Sequence, residues 1–208
     1  MLLGSTSERE VLRLIDSLKE KFELTCLGDV RHFLGIDIRR EAGIYKILLK
    51  NYIEKLITNH GMEQAKTAKS SMQPGFMKDD NSSAVLEDAT KYRSLVEGLL
   101  YLAVNTRPDI AECMAILGRK FSNPREADWT AAKRVLKYLK KMVDCSLRLG
   151  GYSEQLLVAY SVSDWAGDVC SRKLTSGFVF FFGGVLVSWA SHRQTSIVIY
   201  GGEVFGAE

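Results

Sequence analysis

The hydrophobic pattern changes rhythm several times along this chain. Val11, Leu14, Ile15, Leu18 and Phe22 recur at helical spacing. Ser7-Glu8-Arg9-Glu10 has the Ser-x-x-Glu form of a capping box, which predicts an amphipathic helix starting near Glu8. Residues 32–40 and 44–49 read as two strands, with Leu34, Ile36 and Ile38 alternating on one face and Gly43 turning the chain back. Residues 51–60 carry Ile53, Leu56 and Ile57 at helical spacing, and Gly61 fits a C-terminal cap.

Periodicity then disappears. From 63 to 90, Ser, Lys, Asp, Asn, Gly and Pro dominate, which predicts an exposed connection. Three helices follow. Tyr92, Leu95, Val96, Leu99, Leu102 and Ala103 mark the first, and Pro108 suits the first turn of the second. The second carries Ile110, Cys113, Met114 and Leu117; the third starts near Glu126 and carries Trp129, Ala132, Val135, Leu136 and Leu139. Beyond Gly150-Gly151, residues 156–161, 177–182, 185–191 and 196–200 are rich in aromatic and β-branched residues and read as strands. Gly183-Gly184 between two of them is a tight hairpin signal.

Composition narrows the class without naming a function. The chain has 208 residues, 46% apolar and 25% charged, which is an ordinary globular balance. No apolar run reaches the roughly 18 residues a membrane helix needs, and the apolar start is too short for a signal peptide. Cys26, Cys113, Cys145 and Cys170 form no paired motif, so reduced thiols and an intracellular location, cytoplasmic or nuclear, are expected. His32, His60 and His192 lack neighbours at metal-ligand spacing. No nucleophilic triad and no phosphate-binding Gly-rich loop is present.

Charge is informative through its distribution. The formal net charge is only +3, but residues 129–143 hold Lys133, Arg134, Lys137, Lys140 and Lys141 and no acid. Lys133, Lys137, Lys140 and Lys141 fall on one helical face. Such a face fits sequence-independent, salt-sensitive phosphate contacts. The plainer alternative is a solvated helix surface.

Six blocks, in order, resemble the Pol polyproteins of copia-type LTR retrotransposons. Phe22-Glu-Leu-Thr-Cys-Leu-Gly-Asp29 is similar to the segment after the polymerase palm helix, and His32-Phe-Leu-Gly-Ile-Asp-Ile38 to the hairpin that holds the primer end. Tyr52-Ile53 with Gly61-Met62 fits the next helix. Tyr92-Arg-Ser-Leu-Val96 with Thr106-Arg-Pro-Asp-Ile110, and Trp129 with Lys133-Arg-Val-Leu-Lys-Tyr-Leu-Lys140, match two further blocks. Ser163-Asp-Trp-Ala-Gly167 with Gly201-Gly202-Glu203 resembles the opening of the family's ribonuclease H domain.

The resemblance implies an α+β chain. Residues 1–62 would be the palm end and primer-grip-like hairpin, 63–90 a polar linker, 91–150 a helical thumb or connection, and 151–208 the start of a ribonuclease H-like sheet. It implies nucleic-acid contacts, to an RNA–DNA hybrid or a DNA duplex, at Phe33, Leu34 and Gly35 and at Lys133, Arg134, Lys137, Lys140 and Lys141. The remainder of the Pol polyprotein is the implied protein partner.

Departures from the family pattern bear on catalysis. The Tyr-x-Asp-Asp polymerase hairpin is absent, and Asp79-Asp80 lies in the polar connection without flanking strands. Ribonuclease H chemistry uses Mg²⁺ in pairs about 4 Å apart, held by several carboxylates. The family's first metal-binding Asp is Val162 here, and the chain stops at Glu208 before the later acidic ligands. Glu203 matches the second ligand position. Asp164 shares the strand parity of 162 and is the one substitute, about 7 Å further along. Asp164 and Glu203 are therefore the candidate metal and catalytic residues, while Asp168 and Glu208 read as solvated. The leading expectation is a chain that binds no functional Mg²⁺ and is catalytically silent alone. A residual nuclease and a non-catalytic nucleic-acid-binding module are the alternatives.

Overall fold

The computed structural model describes residues 1–76, 83–151, 153–164 and 175–194, with the backbone alone for Asp164. The expected strand at 196–200 lies outside these residues, as do Asp79-Asp80, Asp168, Glu203 and Glu208. The architecture is α+β, with helices packed beside two antiparallel sheets.

Helix α1 (Glu8–Lys19) starts where expected, though no capping box forms. Ser7 makes no side-chain cap, and the Glu10 carboxylate accepts instead from Ser5 Oγ at 2.7 Å. The helix is amphipathic, yet none of its residues is buried. The first sheet is β1 (His32–Phe33), β2 (Ile36–Glu41), β3 (Ile44–Leu48) and β4 (Leu147–Leu149), in that order. The sequence pattern did not predict β4. Three residues are too few to show a period, but Leu147 and Leu149 pair with Ile47 and Tyr45. This pairing joins the chain after the helices to the hairpin before them.

Helix α2 (Lys50–Asn59) ends in a Schellman motif, as Gly61 predicts. Gly61 has φ 60°, its N–H donates to Thr58 O at 3.0 Å, and Met62 N–H donates to Ile57 O at 2.9 Å. Helix α3 (Thr90–Asn105) buries every apolar residue that the periodicity marks, Tyr92 to Ala103. It crosses α2 closely at Gly98, where a Cβ would lie 2.7 Å from Leu56 Cδ2. Pro108 opens a short 3₁₀ turn (Pro108–Ile110) leading into α4 (Ala111–Leu117). Helix α5 (Glu126–Lys141) is started by Asp128, whose buried carboxylate accepts from Arg125 N–H at 2.8 Å. These helices share one core, including Ile53, Leu95, Leu102, Met114, Leu117, Val135 and Leu139. Within it Tyr92 Oη donates to Leu117 O at 2.7 Å, and burial holds its phenol well above the usual range.

The second sheet is β5 (Leu157–Asp164), β6 (Thr175–Phe182) and β7 (Val185–Arg193), with Gly183-Gly184 turning β6 into β7. Strand β7 packs on α4, and Trp189 Nε1–H donates to Ala103 O at 2.8 Å. The opposite edge, β5, leaves Leu157, Tyr160 and Val162 exposed.

Arg107 ties the helices together. Its guanidinium is buried, donates to both Asp109 oxygens at 2.9 and 2.7 Å, and donates to Met142 O at 3.2 Å. Tyr138 Oη donates to Asp109 at 2.9 Å. Burial pushes the Asp109 carboxyl up, but the hydrogen bonds and charge of Arg107 outweigh this and hold it below the usual range. The pair therefore stabilises the fold above the carboxyl's unfolded pKa, about 4, and loses that effect as pH falls through the depressed value. Arg107→Met is expected to cost roughly 1–2 kcal/mol in urea unfolding at neutral pH, with the gap to wild type shrinking at acid pH as the Asp109 carboxyl protonates. An equal gap at both pH values would contradict this assignment.

Candidate nucleic-acid interface

The hairpin implied to hold a primer is sharper than its sequence predicts. Residues 32–40 do not form one strand. Phe33 pairs with Ile36, and Leu34-Gly35 makes a two-residue turn with φ 50° and 78°. Both central residues are left-handed, as in a type I′ turn. Leu34 is therefore off the face of Ile36 and Ile38, and it is 75% exposed. A left-handed Leu is strained and persists where surroundings over-determine it. Here Tyr101 Oη, on α3, donates to Leu34 O at 2.6 Å. Tyr52 of α2 packs against Tyr101 with ring centroids 5.0 Å apart. At the hairpin's base, Asp37 bonds His32 Nδ1 at 2.8 Å and Asn51 Nδ2 at 3.3 Å. Sequence reading missed the turn because Leu-Gly lacks the usual Asn-Gly or Asp-Gly signature; Gly35 alone marks it.

The five α5 cations do not form one open face. Lys140 has all three ammonium donors engaged: its Nζ donates to Met62 O at 3.4 Å, to Ala65 O at 2.9 Å and to Glu63 O by a short bond. It clamps the chain leaving α2. Lys133 sits over the Trp129 ring, 5.0 Å from the centroid. Arg134 Nη2 donates to Ser70 Oγ at 2.9 Å, and Lys137 O accepts from Ala68 N–H at 3.2 Å. Lys141 is exposed. Residues 63–76, expected as part of an exposed connection, are thus laid along α5. Ala65, Met72 and Phe76 anchor them on the core.

Comparison with known proteins follows the same outline. The family model described as reverse transcriptase (RNA-dependent DNA polymerase) matches residues 1–74. An uncharacterized mitochondrial protein of Arabidopsis thaliana is 32% identical over 95% of this chain and 81% of its own length. The retrovirus-related Pol polyprotein from transposon TNT 1-94 of Nicotiana tabacum is 30% identical over 96% of this chain. That from transposon RE2 of Arabidopsis thaliana is 32% identical over 88%. The chain belongs to the copia-type retrotransposon Pol family. It spans only 16% and 13% of those two polyproteins' length. No solved structure matches it.

In this copia-type Pol chain, β5 carries the position where the resemblance implies the first acidic ligand. Val162 lies on β5 opposite Gly177, and its side chain is 70% exposed hydrocarbon. Asp164 follows on the same strand, its backbone opposite Thr175. Glu203 lies outside the described residues. Among the described residues, no group of three His, Cys, Asp or Glu side chains could hold a metal ion. No helix among them is long and apolar enough to cross a membrane.

Two substitutions separate fixed from free groups in this copia-type surface. Lys140→Met is expected to lower unfolding stability by about 1–3 kcal/mol, because three carbonyls lose their donor. Tyr101→Phe should cost about 1 kcal/mol and speed hydrogen exchange at Gly35 and Ile36. Unchanged urea midpoints for Lys140→Met, or unchanged exchange for Tyr101→Phe, would refute these roles.

Proposed function

We propose that this chain is a duplex-holding portion of a copia-type Pol protein, catalytically silent by itself. It grips an RNA–DNA hybrid or DNA duplex between the Leu34-Gly35 turn and the free α5 cations. In this reading the β1–β2 hairpin is primer-grip-like, the helices are a thumb or connection, and the β5–β7 sheet begins a ribonuclease H-like fold. The partner that completes it is further Pol sequence.

The observation that supports this best is the division of labour on α5. Lys140 is used up internally, whereas Lys133, Arg134, Lys137 and Lys141 form no salt bridge among the described residues. Four cations without acidic partners on one stretch suit a phosphate backbone. The hairpin supports it too, since a strained turn held by a tyrosine is a fixed ledge.

Catalysis is a different matter. This sequence carries no Tyr-x-Asp-Asp. Two Mg²⁺ ions need several oxygen ligands, and Val162 offers none where the family has an Asp. The residues present do not fit the family's metal pair.

The test is fluorescence anisotropy with a labelled RNA–DNA hybrid across a salt series. About four phosphate contacts give a log–log slope near −3.6. Lys133→Glu/Lys141→Glu should flatten that slope by roughly 2 and weaken binding equally for unrelated sequences. Binding that ignores salt, or that survives these substitutions unchanged, would rule the reading out.

A further inference from the structure

Residues 66–76 and α5 enclose an open cleft of about 830 Å³. We propose that this cleft binds a short stretch of single-stranded nucleic acid, beside the duplex surface and sharing Arg134 and Lys137 with it. The proposal rests on the nucleic-acid role given to α5, because Arg134 and Lys137 line the cleft as well.

The charge in the cleft is one-sided. Lys66 and Lys69 of the 66–76 segment and Arg134 and Lys137 of α5 all line it, and among the described lining residues Glu126 is the one acid. Cations supplied by both the segment and the helix suit a chain of phosphates passing along the cleft. Glu126 opens α5, so its carboxylate repels a phosphate at that end and can accept from a base amino group.

The walls are held in place. Ala68 N–H donates to Lys137 O, Arg134 donates to Ser70 Oγ, and Lys140 clamps the carbonyls of Met62, Glu63 and Ala65. Neither Lys66 nor Lys69 forms a salt bridge among the described residues, and both are exposed. Arg134 Nε is buried and lacks a hydrogen-bond partner there.

Size and lining select the unpaired form. Small-molecule sites are roughly 300–1,000 Å³, so this cleft admits a few nucleotides and excludes a double helix. Phe76 is half-buried in the lining and offers a ring on which a base can stack. A basic groove combined with an aromatic platform is how sequence-tolerant single-strand binding is built.

The experiment measures anisotropy of a labelled oligothymidylate of about 12 nucleotides, within the ~4–16 nucleotide range of single-strand sites. The full chain is used, with thermal melts confirming that each variant folds. Lys66→Glu/Lys69→Glu is expected to weaken oligothymidylate binding at least about tenfold while shifting hybrid affinity less than about threefold. Lys133→Glu/Lys141→Glu should show the reverse. If Lys66→Glu/Lys69→Glu leaves oligothymidylate binding intact, or weakens both probes equally, the cleft proposal is overturned. It is also overturned if inorganic phosphate displaces the oligonucleotide at equal phosphate concentration, since the site would then be a simple anion site. Loss of hybrid binding in no variant, with oligothymidylate binding lost as expected, would sink the duplex reading and leave the cleft standing.

Discussion

Burial of one face of α5 holds the rest of the molecule in register. Ala132, Val135, Leu136 and Leu139 are fully buried and meet α2, α3 and α4 in a single core. Val135, Leu136 and Leu139 each contribute about 1.5–3 kcal/mol, which exceeds what any surface ion pair here could supply. The polar attachments follow from that burial. Lys140 reaches the carbonyls after α2 because α5 lies beside it, and Tyr138 reaches Asp109 because α5 also lies beside the turn into α4. A helix with a polar seam on either side of an apolar face thus fixes two neighbouring segments at once.

The same arrangement decides which charges remain for a ligand. A lysine close to orphan carbonyls satisfies them, and its charge becomes internal. Lys140 is in that position, one turn after Lys137 and beside the exposed Lys141. The hairpin shows a related economy. Leu34 would relax out of the left-handed region without Tyr101, and Tyr101 is placed by α3 and braced by Tyr52. Rigid presentation of backbone at an exposed turn is what a nucleic-acid ledge requires, because a mobile turn would lose entropy on every contact.

Much of the helical core was legible in the sequence. The apolar positions of α3, the Pro108 start and the Gly61 cap all follow from local rules, since helical burial repeats every three or four residues. The misses share a cause: each depends on a partner far along the chain. Leu34-Gly35 looks like strand because its turn is stabilised by Tyr101 and not by its own residue types. Strand β4 exists because β3 is there to pair with. Lys140 reads as surface charge because its carbonyl partners lie in the segment after α2. Residues 63–76 look like linker because Ala65, Met72 and Phe76 are too widely spaced to show a period. Val162 stands on β5 at the position where the resemblance implies an Asp, while Glu203 lies outside what the structure describes.

The central proposal is a phosphate-binding surface on a chain that is catalytically silent by itself. The most direct test is a Mg²⁺ titration of the purified chain with an end-labelled RNA–DNA hybrid, run on native and denaturing gels together. The account predicts a shifted hybrid whose RNA stays intact at every Mg²⁺ concentration. RNA cleavage that depends on Mg²⁺ and disappears in Asp164→Ala and Glu203→Ala would contradict it, because another carboxylate would then be serving for position 162.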